Sequence, residues 1–287
     1  MDIELARTFL EVLETGNFKK AADRLNVTQS TVSMRVKTLE DLLGQRLFRR
    51  SKAGTELTPA GHHFNQYAVA MVRAWQQARQ DIALPAGYKA ALNVGAQYDL
   101  WDRVLQPWLP WMRKAVPDVA LRAEVAVPEV LTERINIGLL DIALLYTPQS
   151  RPQIVIERLL DERLVMVTTN PKRALQEGSD YVIVDWGPDF RSEHGQTFPD
   201  METPAVSVNL GELGLAYVLR NGGSGYFPIR MVRRHLKAGR LHRVEGVPEF
   251  ARTAYIAFPA AEDYVEWFKT ALQGLRHVAA DEASEAD

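Results

Sequence analysis

Over the first 84 residues, apolar positions recur at helical spacing and the breaks between them fall on residues suited to caps and turns. Leu5, Phe9, Leu10, Val12 and Leu13 predict a first amphipathic helix over residues 2–14. Phe18, Ala21, Ala22 and Leu25 follow an i, i+3, i+4, i+7 spacing and predict a second helix. Val32, Val36, Leu39 and Leu43 predict a third, with Thr28 placed as its N-cap and Gly44 as its C-cap. LFRRSKAGTELT then reads as two short strands around a Ser-Lys-Ala-Gly turn, with Phe48 and Leu57 as anchors to the helices. Thr58 and Pro59 open a long helix running to about Leu84, before Pro85 and Gly87. In it Phe64, Ala68, Met71, Trp75, Ala78 and Ile82 form a heptad seam along about 39 Å. The seam fits pairing with the same helix of a second copy, or packing on the chain's own downstream domain.

From Ala90 the pattern changes to strands alternating with helices. LNVGA, VALRAEV, DIALLY, LVMVTT, YVIVDW, VSVN and TAYIAF are short apolar or alternating runs. Helical stretches separate most of them, around 99–115, 128–138, 211–221, 228–237 and 261–277, an α/β arrangement with mostly parallel strands. Pro107 and Pro110 are expected to kink or divide the first of these helices. Residues 279–287, small and acidic, read as a frayed tail.

The third helix carries chemistry on its outward face. Gln29, Ser33 and Lys37 stand opposite the apolar stripe, with Ser30, Thr31, Met34 and Arg35 beside them. Short hydrogen-bonding side chains near a helix N-terminus, followed by cations, suit entry into the DNA major groove. Arg49, Arg50 and Lys52, at the tip of the hairpin, are placed to reach phosphates or a neighbouring minor groove. The net charge of −2 hides an asymmetry: residues 17–52 hold nine Lys/Arg against three Asp/Glu, and the other 251 residues sum to −8. A cationic module on an acidic body is expected where only one part meets phosphate.

With no cysteine there is no disulfide framework, thiolate metal site or thiol nucleophile. No apolar run reaches the roughly 18 residues that span a bilayer, and the N-terminus lacks a signal-peptide core. The expected location is the cytoplasm, in association with the nucleoid.

AADRLNVTQSTVSMRVKTLEDLLGQRLFRR followed by LTPAG strongly resembles the winged helix-turn-helix of LysR-type transcriptional regulators, without a gap over about residues 2–61. GLLDIALLYT, LVMVTTNP and GGSGYFP resemble that family's effector domain, and VDWGPDF with DLW resembles its HdfR-like branch. The resemblance implies a multi-domain chain: a winged helix-turn-helix over 1–58, a dimerisation linker helix over 59–87, and an α/β effector domain over 90–278. That domain would resemble a two-lobed periplasmic binding protein, with lobe I at about 90–160 plus 254–278 and lobe II at about 161–253. The implied partners are a double-stranded dyad operator, a second copy in a dimer or dimer of dimers, a small-molecule effector and RNA polymerase. No cofactor is implied.

Gln29, Ser30, Ser33 and Lys37 match positions that in the family face the groove or its phosphates. Met34 departs from the pattern: a thioether cannot donate to guanine but can meet a thymine methyl. The effector cleft departs further. Gln97, Tyr98 and Asp99, with Trp101 one turn on, stand where many members have small hydroxyl residues that hold a carboxylate. Tyr146, Thr147, Asp185, Trp186, Asp189, Asn209, Ser224 and Tyr226 complete the expected cleft. Its chemistry favours a neutral, aromatic or cationic ligand, or none, over a small anion. Trp101 and Trp186 equally suit plain core filling.

Catalytic motifs are absent from the sequence. Gly222-Gly223-Ser224-Gly225 lacks the last glycine of a nucleophile elbow, because position 226 is Tyr. Neither a phosphate-binding G-x-x-x-x-G-K-[ST] nor a zinc-binding H-E-x-x-H occurs. Asp185 and Asp189, four apart around Gly-Pro, read as turn formers rather than paired acids. The expectation is a regulator, not an enzyme. A ligand-independent repressor or architectural DNA binder, whose second domain serves assembly, is the alternative.

Overall fold

The computed structural model describes residues 2–284 except 52, 53, 152, 173–179, 202, 203 and 262; at 50, 51, 81 and 282–284 it describes backbone alone. Lys52 therefore lies outside the described residues, as does the side chain of Arg50. Two compact units result, Met1–Ala91 with Glu133–Leu140, and Leu92–Thr132 with Asp141–Asp287.

In the first unit, α1 (Ile3–Thr15) is capped by the Asp2 carboxylate and ends on Gly16 in the left-handed region. Helix α2 (Phe18–Leu25) begins where the Asn17 side chain accepts from Lys19 and Lys20 N–H. Helix α3 (Gln29–Leu43) is capped by Thr28 and ends on Gly44, as the pattern predicts. Phe9 lies at the centre, packing with Leu5, Leu39, Leu47, Phe64 and Ala68, while Val12, Ala21, Ala22, Val32 and Val36 close the helix pair. Leu43 departs from its stripe and is exposed in the last turn of α3.

Strands β1 (Phe48–Ser51) and β2 (Gly54–Leu57) pair antiparallel, with Arg49 opposite Glu56. Helix α4 (Pro59–Ile82) follows; the Thr58 hydroxyl accepts from Gly61 N–H. A Cβ at Gly61 would lie 2.2 Å from the Leu47 carbonyl oxygen, so α4 leaves the hairpin root at a distance only glycine permits. The heptad seam splits. Phe64 and Ala68 are buried with α1 in the chain's own core, joined there by Val72, and are not on offer to a partner. Trp75 is 49% exposed and Ile82 86% exposed, and Ala78 is exposed between them.

The second unit begins with β3 (Ala90–Ala96), α5 (Tyr98–Leu100), a π-helical segment over Trp101–Leu105, and α6 (Gln106–Ala115). The division falls just before Pro107: Gln106 N–H bonds the Trp101 carbonyl five residues back, and Pro107 opens α6. Then follow β4 (Val119–Val125), α7 (Pro128–Asn136, counted with the first unit from Glu133 on), β5 (Ile142–Leu145) and β6 (Ile154–Thr168). Next come β7 (Val182–Val184), α8 (Pro188–Thr197), β8 (Val206–Val208) and α9 (Gly211–Asn221). The chain finishes with β9 (Ser224–Pro228), α10 (Ile229–Lys237), β10 (His242–Arg243), β11 (Phe250–Pro259) and α11 (Glu266–Ser284).

The main sheet runs β10-β6-β11-β5-β3-β4, with β9 also on β6, while β7 and β8 form a separate pair. Parallel pairing joins β3 with β5 and β7 with β8, and an isolated parallel bridge links Tyr181 to Ser224, but the expected mostly parallel arrangement does not extend to the long strands. Long strands β6 and β11 run antiparallel to each other, and β6 also to β9 and β10, and β11 to β5. A short apolar run such as LVMVTT does not reveal that it belongs to a 15-residue strand serving both halves of the unit. The expected tail is also corrected: α11 continues through 279 to Ser284, since Val278 and Ala279 are buried and Ala and Glu favour the helix.

Candidate functional site

On the first unit, Gln29, Ser30, Ser33, Met34 and Lys37 are exposed together on α3, and Met34 is 63% exposed. Thr31 and Arg35 differ from them. Thr31 completes the cap, its hydroxyl 2.8 Å from that of Thr28. The Arg35 guanidinium turns to α1, toward the Glu4 carboxylate (3.5 Å) and the Thr8 hydroxyl (3.3 Å). Both occupy the flank of α3 that faces α1.

Between α3, the start of α2 and the hairpin lies a hollow of about 580 Å³. Lys19, Gln29, Ser33, Lys37, Arg46 and Arg49 line it. Its one acid, Glu40, is buried: the carboxylate accepts from Leu47 N–H (2.8 Å), Phe48 N–H (3.2 Å) and Arg46 (2.8 Å). Four cations surround polar side chains there; Arg46 pairs with Glu40 and Arg49 with Glu56 of the facing strand.

In the second unit a cavity of about 450 Å³ draws its wall from separate elements. Gln97, Tyr98 and Asp99 follow β3, Tyr146 and Thr147 follow β5, Asp185 and Trp186 follow β7, and Asn209 precedes α9. These eight expected residues meet around one space. Trp101, Asp189, Ser224 and Tyr226 do not line it. Trp101 begins the π-helical segment and Asp189 is exposed in the first turn of α8. Ser224 and Tyr226 belong to β9, which is a buried strand and not a turn; the Tyr226 hydroxyl donates to the Pro248 carbonyl at 2.9 Å. Trp186 does both jobs considered for it: it is buried, its indole N–H donates to the Tyr226 carbonyl, and it lines the cavity.

Val125, Val127, Glu129 and Arg191 also line this cavity, and nothing in the sequence pattern marks them. Arg191 is committed, donating to both Asp185 oxygens at 2.6 Å. Asp99 binds Arg252 at 3.0 Å, and the Arg252 guanidinium lies 3.4 Å from the Tyr146 ring centre and 5.0 Å from that of Trp186. Burial raises the Asp99 carboxyl above its ordinary value, against the pull of Arg252.

Beside the cavity sits a buried charge network. Glu162 accepts from Arg103 and Arg230, each at 2.7 Å, and from the Tyr146 hydroxyl at 2.6 Å; Arg103 and Glu162 side chains are 3% and 1% exposed. Arg230 also reaches Asp102 (3.1 Å) and the Asp99 carbonyl (2.8 Å). Burial alone would raise the Glu162 carboxyl, but Arg230, Arg103 and Arg252 hold it below its usual value. One signal is present in the sequence: Glu162 and Arg252 each fall on the inward phase of an alternating strand, where an apolar residue is expected.

Residues 3–62 match the bacterial regulatory helix-turn-helix protein, lysR family, and residues 85–276 match the LysR substrate binding domain. The chain belongs to the LysR family and is a LysR-type DNA-binding transcriptional regulator with an effector-binding domain. It is 30% identical over 258 residues to the HTH-type transcriptional regulator HdfR of Escherichia coli O17:K52:H18, spanning 89% of this chain and 91% of that one. Its fold is similar to ArgP from Mycobacterium tuberculosis (TM-score 0.58, 20% identity, 98% of each chain). It is also similar to full-length LysG from Corynebacterium glutamicum with bound effector Arg (TM-score 0.56, 19% identity, 98% of this chain and 99% of that one).

Proposed function

We propose that this regulator reads a dyad operator as a dimer or dimer of dimers and answers to a small molecule held in the cavity beside Trp186. Gln29, Ser30, Ser33, Met34 and Lys37 contact base edges and the adjoining backbone, and the hairpin bearing Arg49, Arg50 and Lys52 adds phosphate contacts. Exposed Trp75, Ala78 and Ile82 pair two linker helices and set recognition helices about 34 Å apart. It works in the cytoplasm on nucleoid DNA, with RNA polymerase as the recipient of its signal, and catalyses no reaction.

The observation that carries the effector reading is the convergence of Gln97, Tyr98, Asp99, Tyr146, Thr147, Asp185, Trp186 and Asn209 on one cavity. Asp185 is paired with Arg191 and Asp99 with Arg252, Glu129 adds a further carboxylate to the wall, and Tyr98, Tyr146 and Trp186 supply aromatic walls. A cationic or aromatic ligand suits such a lining better than a small anion. LysG, with its bound effector Arg, shows a cationic effector on the same fold.

Two measurements on the full-length chain test this reading. Gln29→Ala should cost about 1–3 kcal/mol in operator binding and relax base preference; unchanged affinity would displace the recognition helix from its assigned role. Calorimetric titration with a panel of cationic, aromatic and anionic metabolites should find saturable binding that changes DNA affinity and is abolished in Thr147→Trp, which fills the cavity. Silence across the panel would favour the ligand-independent architectural role.

A further inference from the structure

Residues 229–243, covering α10 and β10, contain Arg230, Arg233, Arg234, Lys237, Arg240 and Arg243 and no Asp or Glu. In the rest of residues 53–287, 18 Lys/Arg face 29 Asp/Glu, a net of −11. A compact +6 block thus stands on an acidic body. The fold sorts its cations. Arg230 turns inward to Glu162, and Arg243 pairs with Glu249. Arg234, Lys237 and Arg240 are exposed, with His242 beside them. Val232 and Leu241 are buried in the core and Leu236 packs against it, so the outward face offers charge without an apolar anchor. The local field is visible at His235, which burial, then Arg234 and Arg240, hold below the ordinary imidazole value.

The helix dipole accounts for cations in the last turn of α10. It does not account for Arg240 and His242, which lie beyond the helix end.

We propose that Arg234, Lys237 and Arg240 form a second, sequence-independent contact to the DNA phosphate backbone, made by the effector-binding unit of a chain already held on DNA by α3. An acidic protein partner would need buried aromatic or aliphatic anchors at the centre of its interface, and this face has none. Phosphate contacts need only well-placed cations. Tethering to a bound helix-turn-helix raises the local phosphate concentration, so three cations suffice where they would be too weak alone.

The test uses the full-length protein, a mixed-sequence duplex of about 80 base pairs, and fluorescence anisotropy across a salt series. Removing one cation from a phosphate should flatten the log–log salt slope by about 0.9. The triple variant Arg234→Gln/Lys237→Gln/Arg240→Gln should therefore flatten it by about 2–3 and weaken low-salt binding at least about tenfold. Arg49→Ala serves as a positive control for the hairpin cations. A duplex of about 20 base pairs, just enough for one pair of recognition helices, should bind wild type and triple variant alike. Lys237→Gln/Arg240→Gln, which leaves the Arg234–His235 hydrogen bond intact, should give the intermediate slope with an unchanged melting temperature. A wild-type slope in the triple variant on the long duplex, while Arg49→Ala flattens its own, overturns the proposal. Equal weakening on both duplexes overturns it too.

Discussion

The Glu40 carboxylate on α3 accepts the backbone N–H of Leu47 at 2.8 Å, and so fixes where the hairpin leaves α3. One oxygen also takes Phe48 N–H and the other takes Arg46, so the single acid lining a cationic hollow is fully employed inside the protein. This ties the hairpin to α3 through backbone amides held by a buried carboxylate.

Glu40→Ala leaves two amides without their acceptor in a buried corner, which should destabilise the first unit by about 1–3 kcal/mol. Urea unfolding of the full-length chain checks the stability. DNA binding should weaken further than Arg46→Ala weakens it, because the hairpin loses its register to α3. If Glu40→Ala matched Arg46→Ala in both assays, the carboxylate would be a mere surface partner of Arg46.

The split seam sharpens the prediction for assembly. Phe64 and Ala68 serve the chain's own core, so substitutions there should lower stability before they change oligomeric state. Trp75→Glu acts on the exposed half and should give monomers in analytical ultracentrifugation with an unchanged melting temperature. A Trp75→Glu protein that still sediments as the dimer would remove the linker helix from the interface.

What can be read from sequence follows from how local the determining forces are. The caps at Thr28 and Gly44, the hairpin, and the Thr58-Pro59 start depend on neighbours a few residues apart, and the pattern places all of them. Burial of Phe64 against Phe9 depends on residues 55 apart, and heptad spacing cannot tell an intramolecular partner from an intermolecular one. The same limit applies in the second unit. Residues following β3, β5 and β7 are legible as cavity wall because strand ends converge there, whereas Arg191 and Glu129 enter from helices whose placement is set by distant packing. Ser224 and Tyr226 escape the pattern because GGSGYFP looks like a turn, yet its antiparallel register with β6, 60 residues earlier at Met166–Tyr226, makes it a strand.

Buried His194 sets a pH dependence for the second unit. Its ring nitrogen hydrogen-bonds the Tyr181 hydroxyl at 2.8 Å and lies among Phe190, Phe198, Tyr226 and Phe250, where the described residues offer no acid to stabilise a cation. Burial lowers its pKa from the ordinary 6.5, so between the folded value and 6.5 the unfolded chain binds more protons than the folded one. Stability from this group is therefore complete above pH 6.5 and is lost as pH falls through the folded value. His235, also lowered, adds in the same direction. Chemical unfolding followed from about pH 7.5 to about pH 5 should show a falling free energy of unfolding for the wild type. His194→Gln keeps a hydrogen-bonding partner for Tyr181 but cannot take up a proton, so its decline over the same range should be shallower. A slope equal to that of the wild type would mean that His194 is free to protonate in the folded protein, and the aromatic cluster would then be open to water.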